Sequence, residues 1–263
     1  MSYAIQSSCL LPVYGLTGCG LVSRSSLHMF LPAVAVDVNA LENANINISG
    51  VGFYGTYTFV PVVDGEFITQ RPTLSLAQGK VNGEALLSVT NAFEGRSFVN
   101  QSTAATANAT EYALDLFPNL DSAQADEVGI LYAGLGTPLF QINAVQGESI
   151  LICPTYFLLH AFAGRSFKGE FAIPPAVHAL DVEYYFPSLL TDFPDLTVPI
   201  FNNTAFVDAF AITPKWNKWD VGQTEMLFNK TDTDAPVVRP VKTDDALLER
   251  CRFWQRVGDL TAQ

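Results

Sequence analysis

The chain has 263 residues, enough for one large domain or two small ones with an ample core. Hydrophobic residues supply 49% of it and charged residues 15%, a globular composition that excludes a disordered polymer. The formal net charge of −12, with few basic residues and no run of them, argues against a nucleic-acid partner, because phosphate binding needs clustered Lys and Arg.

Residues 1–40 read as an atypical N-terminal segment of uncertain order, with glycines, prolines and cysteines scattered without helical or strand periodicity. "MSYAIQSSCLLPVYGLTGCGLV" lacks the basic start of a signal peptide and is broken by Pro12. "LHMFLPAVAVDV" is too short to cross a bilayer, so no membrane span is expected. The texture changes near Val51. "GTYTFVPVVDGEF" is β-branched and aromatic, predicting a strand or connected pair closed by an Asp64-Gly65 turn. A short helix is predicted after Arg71, with Pro72 in its first position.

"EALLSVTNAF" is apolar on both faces and of strand length, which suits a central strand of a parallel sheet; it ends at Glu94-Gly95. "GESILICPTYFLLHAF" predicts a helix starting at Gly147-Glu148-Ser149, with Pro154 kinking it or removing a bond. "FKGEFAI" predicts a second strand, followed by a loop that opens at Pro174-Pro175 and carries His178. "DDALLERCRFWQRV" has apolar residues at helical spacing and acidic residues at its front end. Strands alternating with helices indicate an α/β domain.

Cys9, Cys19, Cys153 and Cys251 form no CxxC pair, and only three histidines are present, so no zinc site, metal or cofactor is expected. Spacing does not assign disulfides among the four. Asn47, Asn100, Asn108, Asn202 and Asn229 begin N-x-[ST] sequons, more than chance supplies, which favours a secreted glycoprotein.

Two positions invite a catalytic reading. Glu94 and His178 each follow a strand pattern, and open parallel sheets gather reactive side chains at the carboxyl ends of their strands. A carboxylate bonded to an imidazole fixes its tautomer and stabilises the imidazolium formed in proton transfer. Taken singly, each residue is also what an ordinary turn carboxylate or loop histidine looks like. Ser149, in Gly147-Glu148-Ser149, imitates the G-x-S-x-G nucleophile elbow, but Leu151 stands where the elbow needs its second glycine.

Read together, "FVPVVDGEF", "TNAFEG", "ICPTYFLLHAF", "HALDVEYYFP", "FNNTAF", "ITPKWNKW" and "ERCRFWQRVG" resemble successive landmarks of the type-B carboxylesterases, fungal branch. The resemblance covers residues 41–263, in order, and implies the C-terminal part of an α/β-hydrolase fold. It also implies roles. Glu94 matches the acidic member and His178 the general base of a Ser-Glu-His triad, with Asp181 at an acidic position that follows the base.

The family's serine elbow and glycine-rich oxyanion segment lie upstream of the acid, and neither has a counterpart here. Ser149 falls between Glu94 and His178, the wrong order for this fold, and is expected to be a decoy. Family members carry a paired-cysteine loop for which Cys19 is a candidate first member, but no second cysteine follows before Cys153. The expected function is therefore that of a carboxylic ester hydrolase whose chain retains acid and base but is inactive by itself; the alternative is a non-catalytic binding module or a truncated remnant. An apolar ester is the implied substrate, a protein partner covering an open sheet edge is the implied partner, and secretion is the implied location.

Overall fold

The structure, a computed structural model, describes residues 36–57, 59–184, 217–233 and 236–261. Cys9, Cys19, Asn202 and "FNNTAF", with most of "ITPKWNKW", lie outside the described residues. The chain divides into two compact units, Met1–Val62 and Val63–Gln263. In the first, helix α1 (Val38–Gly50) starts where the Asp37 carboxylate accepts the Ala40 N–H at 3.1 Å, and it buries Ala44 and Ile48.

The second unit holds the sheet. Its elements in chain order are α2 (Pro72–Ala77), β1 (Leu86–Asn91), α3 (Ala109–Leu116), α4 (Ser122–Tyr132) and α5 (Pro138–Gly147). A π-helical turn (Glu148–Ile152) then leads into α6 (Cys153–Ala161), β2 (Ser166–Phe171), β3 (Thr224–Lys230), β4 (Pro236–Lys242) and α7 (Asp245–Arg256). The sheet runs β1-β2-β3-β4, the first three strands parallel and β4 antiparallel to β3. Pro236 and Pro240 suit β4 to its outer place, since a proline cannot donate to a ladder.

Beneath the strands, Phe171, Ile173, Ala176, Tyr184, Met226 and Phe228 form one buried cluster, against which Val89, Phe167 and Leu180 pack. Near α7 a second aromatic group joins Trp254 to Phe117 and Phe253, at ring separations of 5.5 and 4.9 Å. A disulfide between Cys153 and Cys251 ties α6 to α7 across a sequence separation of 98. Closing so long a loop constrains the unfolded chain and is worth roughly 2–5 kcal/mol.

Pro72 opens α2 as predicted, and the strands predicted in "EALLSVTNAF" and "FKGEFAI" are β1 and β2. Three expectations are corrected. Residues 59–68 form no strand: Asp64 Oδ1 accepts the N–H groups of Glu66, Phe67 and Ile68, each at 2.9 Å, so the backbone donors are spent inside a turn. The Asp64-Gly65 turn itself is present, with Gly65 at φ +84°. Among the described residues β1 lies at the sheet's edge, not its centre, and Leu87 is 40% exposed.

The third correction concerns Gly147-Glu148-Ser149. These residues start no helix; α5 begins at Pro138, capped by Thr137, and the helical path continues through them. Pro154 has no N–H to give to the carbonyl four residues back, and its ring crowds that carbonyl. The chain widens by one residue, so that Cys153 N–H reaches Glu148 O in π spacing. Among the described residues no helix is long and apolar enough to cross a membrane.

Candidate active site

The paired strands β1 and β2 decide where the candidate residues fall. They are parallel and in register from Leu86 opposite Ser166 to Asn91 opposite Phe171. Both chains therefore leave the sheet at the same end. Their loops stay together beyond it: Ala92 N–H reaches Phe171 O, Phe93 N–H reaches Ala176 O, and Phe93 bridges Val177. Glu94 and His178 are the next residue on each side. Their juxtaposition is thus a consequence of strand register, though 84 positions separate them.

Glu94 Oε2 lies 2.6 Å from His178 Nδ1. An ionised carboxylate there accepts the Nδ1 proton, which leaves Nε2 unprotonated and able to take a proton from elsewhere. Exposure divides the two roles: the Glu94 side chain is 7% exposed and that of His178 is 40% exposed. The Phe98 ring meets the imidazole edge-on at 4.9 Å and limits its rotation. Ala176 and Ala179, flanking His178, sit at φ +49° and +67°, conformations that cost a residue with a Cβ.

The other oxygen of Glu94 is also held. In β1 successive N–H groups point to opposite sides, and that of Ala92 faces β2. The N–H of Asn91 faces the open edge instead, where Glu94 Oε1 accepts it at 2.7 Å. Asn91 Nδ2 donates to the same oxygen at 3.2 Å and to Asp181 Oδ1 at 2.8 Å. Asp181 is buried.

A buried cation underlies these acids. Lys168 on β2 is fully enclosed and donates to Thr90 Oγ1 at 2.6 Å and Gly169 O at 2.7 Å, with Glu225 Oε2 at 4.0 Å. Burial pulls its ammonium below the usual range, while Glu225, Glu170, Glu94 and Asp181 oppose that shift. Burial also pushes the Glu170 carboxyl up; Glu225 adds to the effect and Lys168 opposes it.

The turn that carries Glu94 packs with almost no clearance on the end of α5. Gly95 and Gly147 face one another backbone to backbone, and a Cβ on Gly147 would sit 2.6 Å from Gly95 N. A cavity of about 630 Å³ opens beside this contact, lined among others by Phe93, Phe140, Leu139, Glu94 and Arg250.

Ser149 is fully buried, and its hydroxyl donates to Val145 O at 2.6 Å. Such a bond, back to the carbonyl four residues earlier, is the ordinary habit of a serine inside a helix. Its neighbour Glu148 accepts Arg250 Nε at 2.7 Å, Arg250 Nη2 at 2.8 Å and the Tyr132 hydroxyl at 2.7 Å. Glu148 is therefore one end of a buried bidentate pair, not an acid at a helix start. Among the described residues no group of three His, Cys, Asp or Glu side chains is arranged to hold a metal. Asn91 and the Glu148–Arg250 pair escaped the sequence reading. A polar residue ending an apolar strand was the signal for the first; nothing local marked the second.

Comparison with known proteins bears on what this arrangement is. Carboxylesterase patB of Aspergillus clavatus is 26% identical over 239 residues, 83% of this chain and 41% of that relative. EstA of Aspergillus niger matches in structure with a TM-score of 0.74 at 17% identity, across 99% of this chain and 56% of that one. A thermophilic pNB esterase matches at 0.65 and 15% identity, across 95% and 54%. No family model matches the chain. At these identities the structural matches show the fold alone, and the chain spans about half the length of the proteins it matches, or less. In sequence the chain is similar to a fungal carboxylesterase, and in structure it carries part of the α/β-hydrolase fold of the esterases it matches.

Proposed function

We propose that this chain carries the acid–base pair of a serine carboxylic ester hydrolase, with Glu94 as the acidic member and His178 as the general base. The observation that supports the reading is the 2.6 Å bond between a buried carboxylate and a half-exposed imidazole at adjoining strand ends. Glu94 holds the proton on Nδ1 and steadies the imidazolium, while Nε2 removes a proton from a serine hydroxyl and returns it to the leaving alcohol. By this reading the serine and the oxyanion donors come from outside this chain: no G-x-S-x-G occurs in it, and Ser149 is enclosed in a helix. By this reading the chain is inactive alone and acts on apolar carboxylic esters only when sequence outside it supplies those groups across the open β1 edge. The exposed sequons at Asn47, Asn100 and Asn108 are compatible with a secreted glycoprotein.

Hydrolysis of p-nitrophenyl butyrate tests this. The chain alone is expected to give only the slow background of a free imidazole, the same in Ser149→Ala. Saturable turnover abolished by Ser149→Ala would reverse the assignment.

A further inference from the structure

We propose that Asn91 is the positioning residue of this site, a clamp that joins the Glu94 and Asp181 carboxylates and thereby aims Glu94 at His178. The inference rests on reading Glu94 and His178 as the acid–base pair. Its support is the direction of one amide. Asn91 is 2% exposed, and its Nδ2 gives one hydrogen bond to each acid, at 3.2 and 2.8 Å. Among the described residues its own Oδ1 is buried without a hydrogen-bond partner. A buried amide ordinarily turns to satisfy both ends. Here turning it over would press Oδ1 against two carboxylate oxygens, so the unpaired acceptor marks how firmly the two acids fix the orientation.

The consequence falls on Glu94. Three donors divide its two oxygens: Asn91 N–H and Nδ2 hold Oε1, and Oε2 is left for the imidazole. The backbone N–H alone permits the carboxylate to swing about a single bond. The second donor, itself anchored on Asp181 across 90 positions of sequence, removes that freedom. Asp181 thus bears on Glu94 through Asn91. A bond as short as 2.6 Å is sensitive to a small rotation of its acceptor.

The test is the imidazole ¹H and ¹⁵N spectrum of the full chain, with the His178 signals assigned through His178→Gln. A strongly deshielded Nδ1 proton and an unprotonated Nε2 are expected, and Glu94→Gln should abolish the deshielded signal. Asn91→Ala should also lose it or broaden it beyond detection, with near-UV circular dichroism unchanged. Asp181→Asn, which keeps shape and removes one anchor, should move it upfield. If Asn91→Ala keeps its fold and its signal, or lowers only the Tm, Asn91 is a structural residue and the inference fails. Should Asn91→Ala not fold, an unmoved signal in Asp181→Asn overturns it equally. A signal that survives Glu94→Gln would instead defeat the underlying acid–base reading.

Discussion

Gly95→Ala is expected to be the most damaging single methyl in the described part of the chain. The added carbon would land on two backbone atoms, Asn143 O and Gly147 N, neither of which can rotate aside as a side chain could. Either α5 or the Glu94–Phe98 turn must move. The expected loss of unfolding free energy is on the order of 3 kcal/mol or more, the upper end of what overpacking costs. The same shift displaces Glu94, so the His178 imidazole signals should move with it. Gly134→Ala is the control: a Cβ there meets nothing within 4 Å, and its effect should stay within about 0.5 kcal/mol. Urea unfolding of both variants checks the comparison, and equal stabilities would contradict the close packing.

Arg250→Met is expected to be nearly as costly, for an electrostatic reason. Arg250 and Glu148 are each buried, and the guanidinium supplies two of the three hydrogen bonds to the Glu148 carboxylate. Removing the cation strands an anion in the interior, a change that costs about 3–5 kcal/mol. Removing both charges is a different matter. In Arg250→Met with Glu148→Met the interior no longer holds an unpaired ion, and most of the loss should be recovered. Recovery stays incomplete because the Tyr132 hydroxyl, which also accepts Trp254 Nε1 at 2.8 Å, loses its own acceptor. A double variant less stable than the single one would contradict the argument.

The pair also ties three distant pieces together. Glu148 opens the π turn, Cys153 follows it at the start of α6, and Arg250 precedes Cys251 on α7, so the ion pair and the disulfide fasten α7 to the two ends of that turn. Through Gly147 that junction is the surface on which the Glu94 turn rests. The candidate site is thereby braced from behind by α5 and α7, while its front is set by β1 and β2.

What could be read from the sequence followed from how local the signal was. β1 is a short, mostly apolar run ended by Asn91, Pro72 fixes its own helix start, and the spacing of Leu248, Cys251 and Trp254 reports the buried face of α7. Residues 55–67 had the composition of a strand, but Asp64 offered the backbone after it a nearer acceptor. Helices α4 and α5 went unread because their apolar faces are weak, and α3 because it is only 8 residues long. Yet each carries a start signal: Asn108, the Asp121–Gln124 capping box, and Thr137 before Pro138.

Of the candidate site, Glu94 and His178 were legible as strand-end residues, and the order of the landmarks set Ser149 aside. That Ser149 is buried was not legible, since that depends on the helical path of α5 continuing through it. Asn91 was missed because its meaning lies in one contact to Asp181, far along the chain.

The central claim, an acid–base pair in a chain without its nucleophile, is tested most directly by intact-mass analysis after treatment with a fluorophosphonate. The chain alone is expected to gain no stoichiometric adduct, because no G-x-S-x-G occurs in it and the hydroxyl of Ser149 is buried and bonded to Val145 O. One adduct per chain, lost in His178→Ala, would show a nucleophile within these 263 residues and contradict the account.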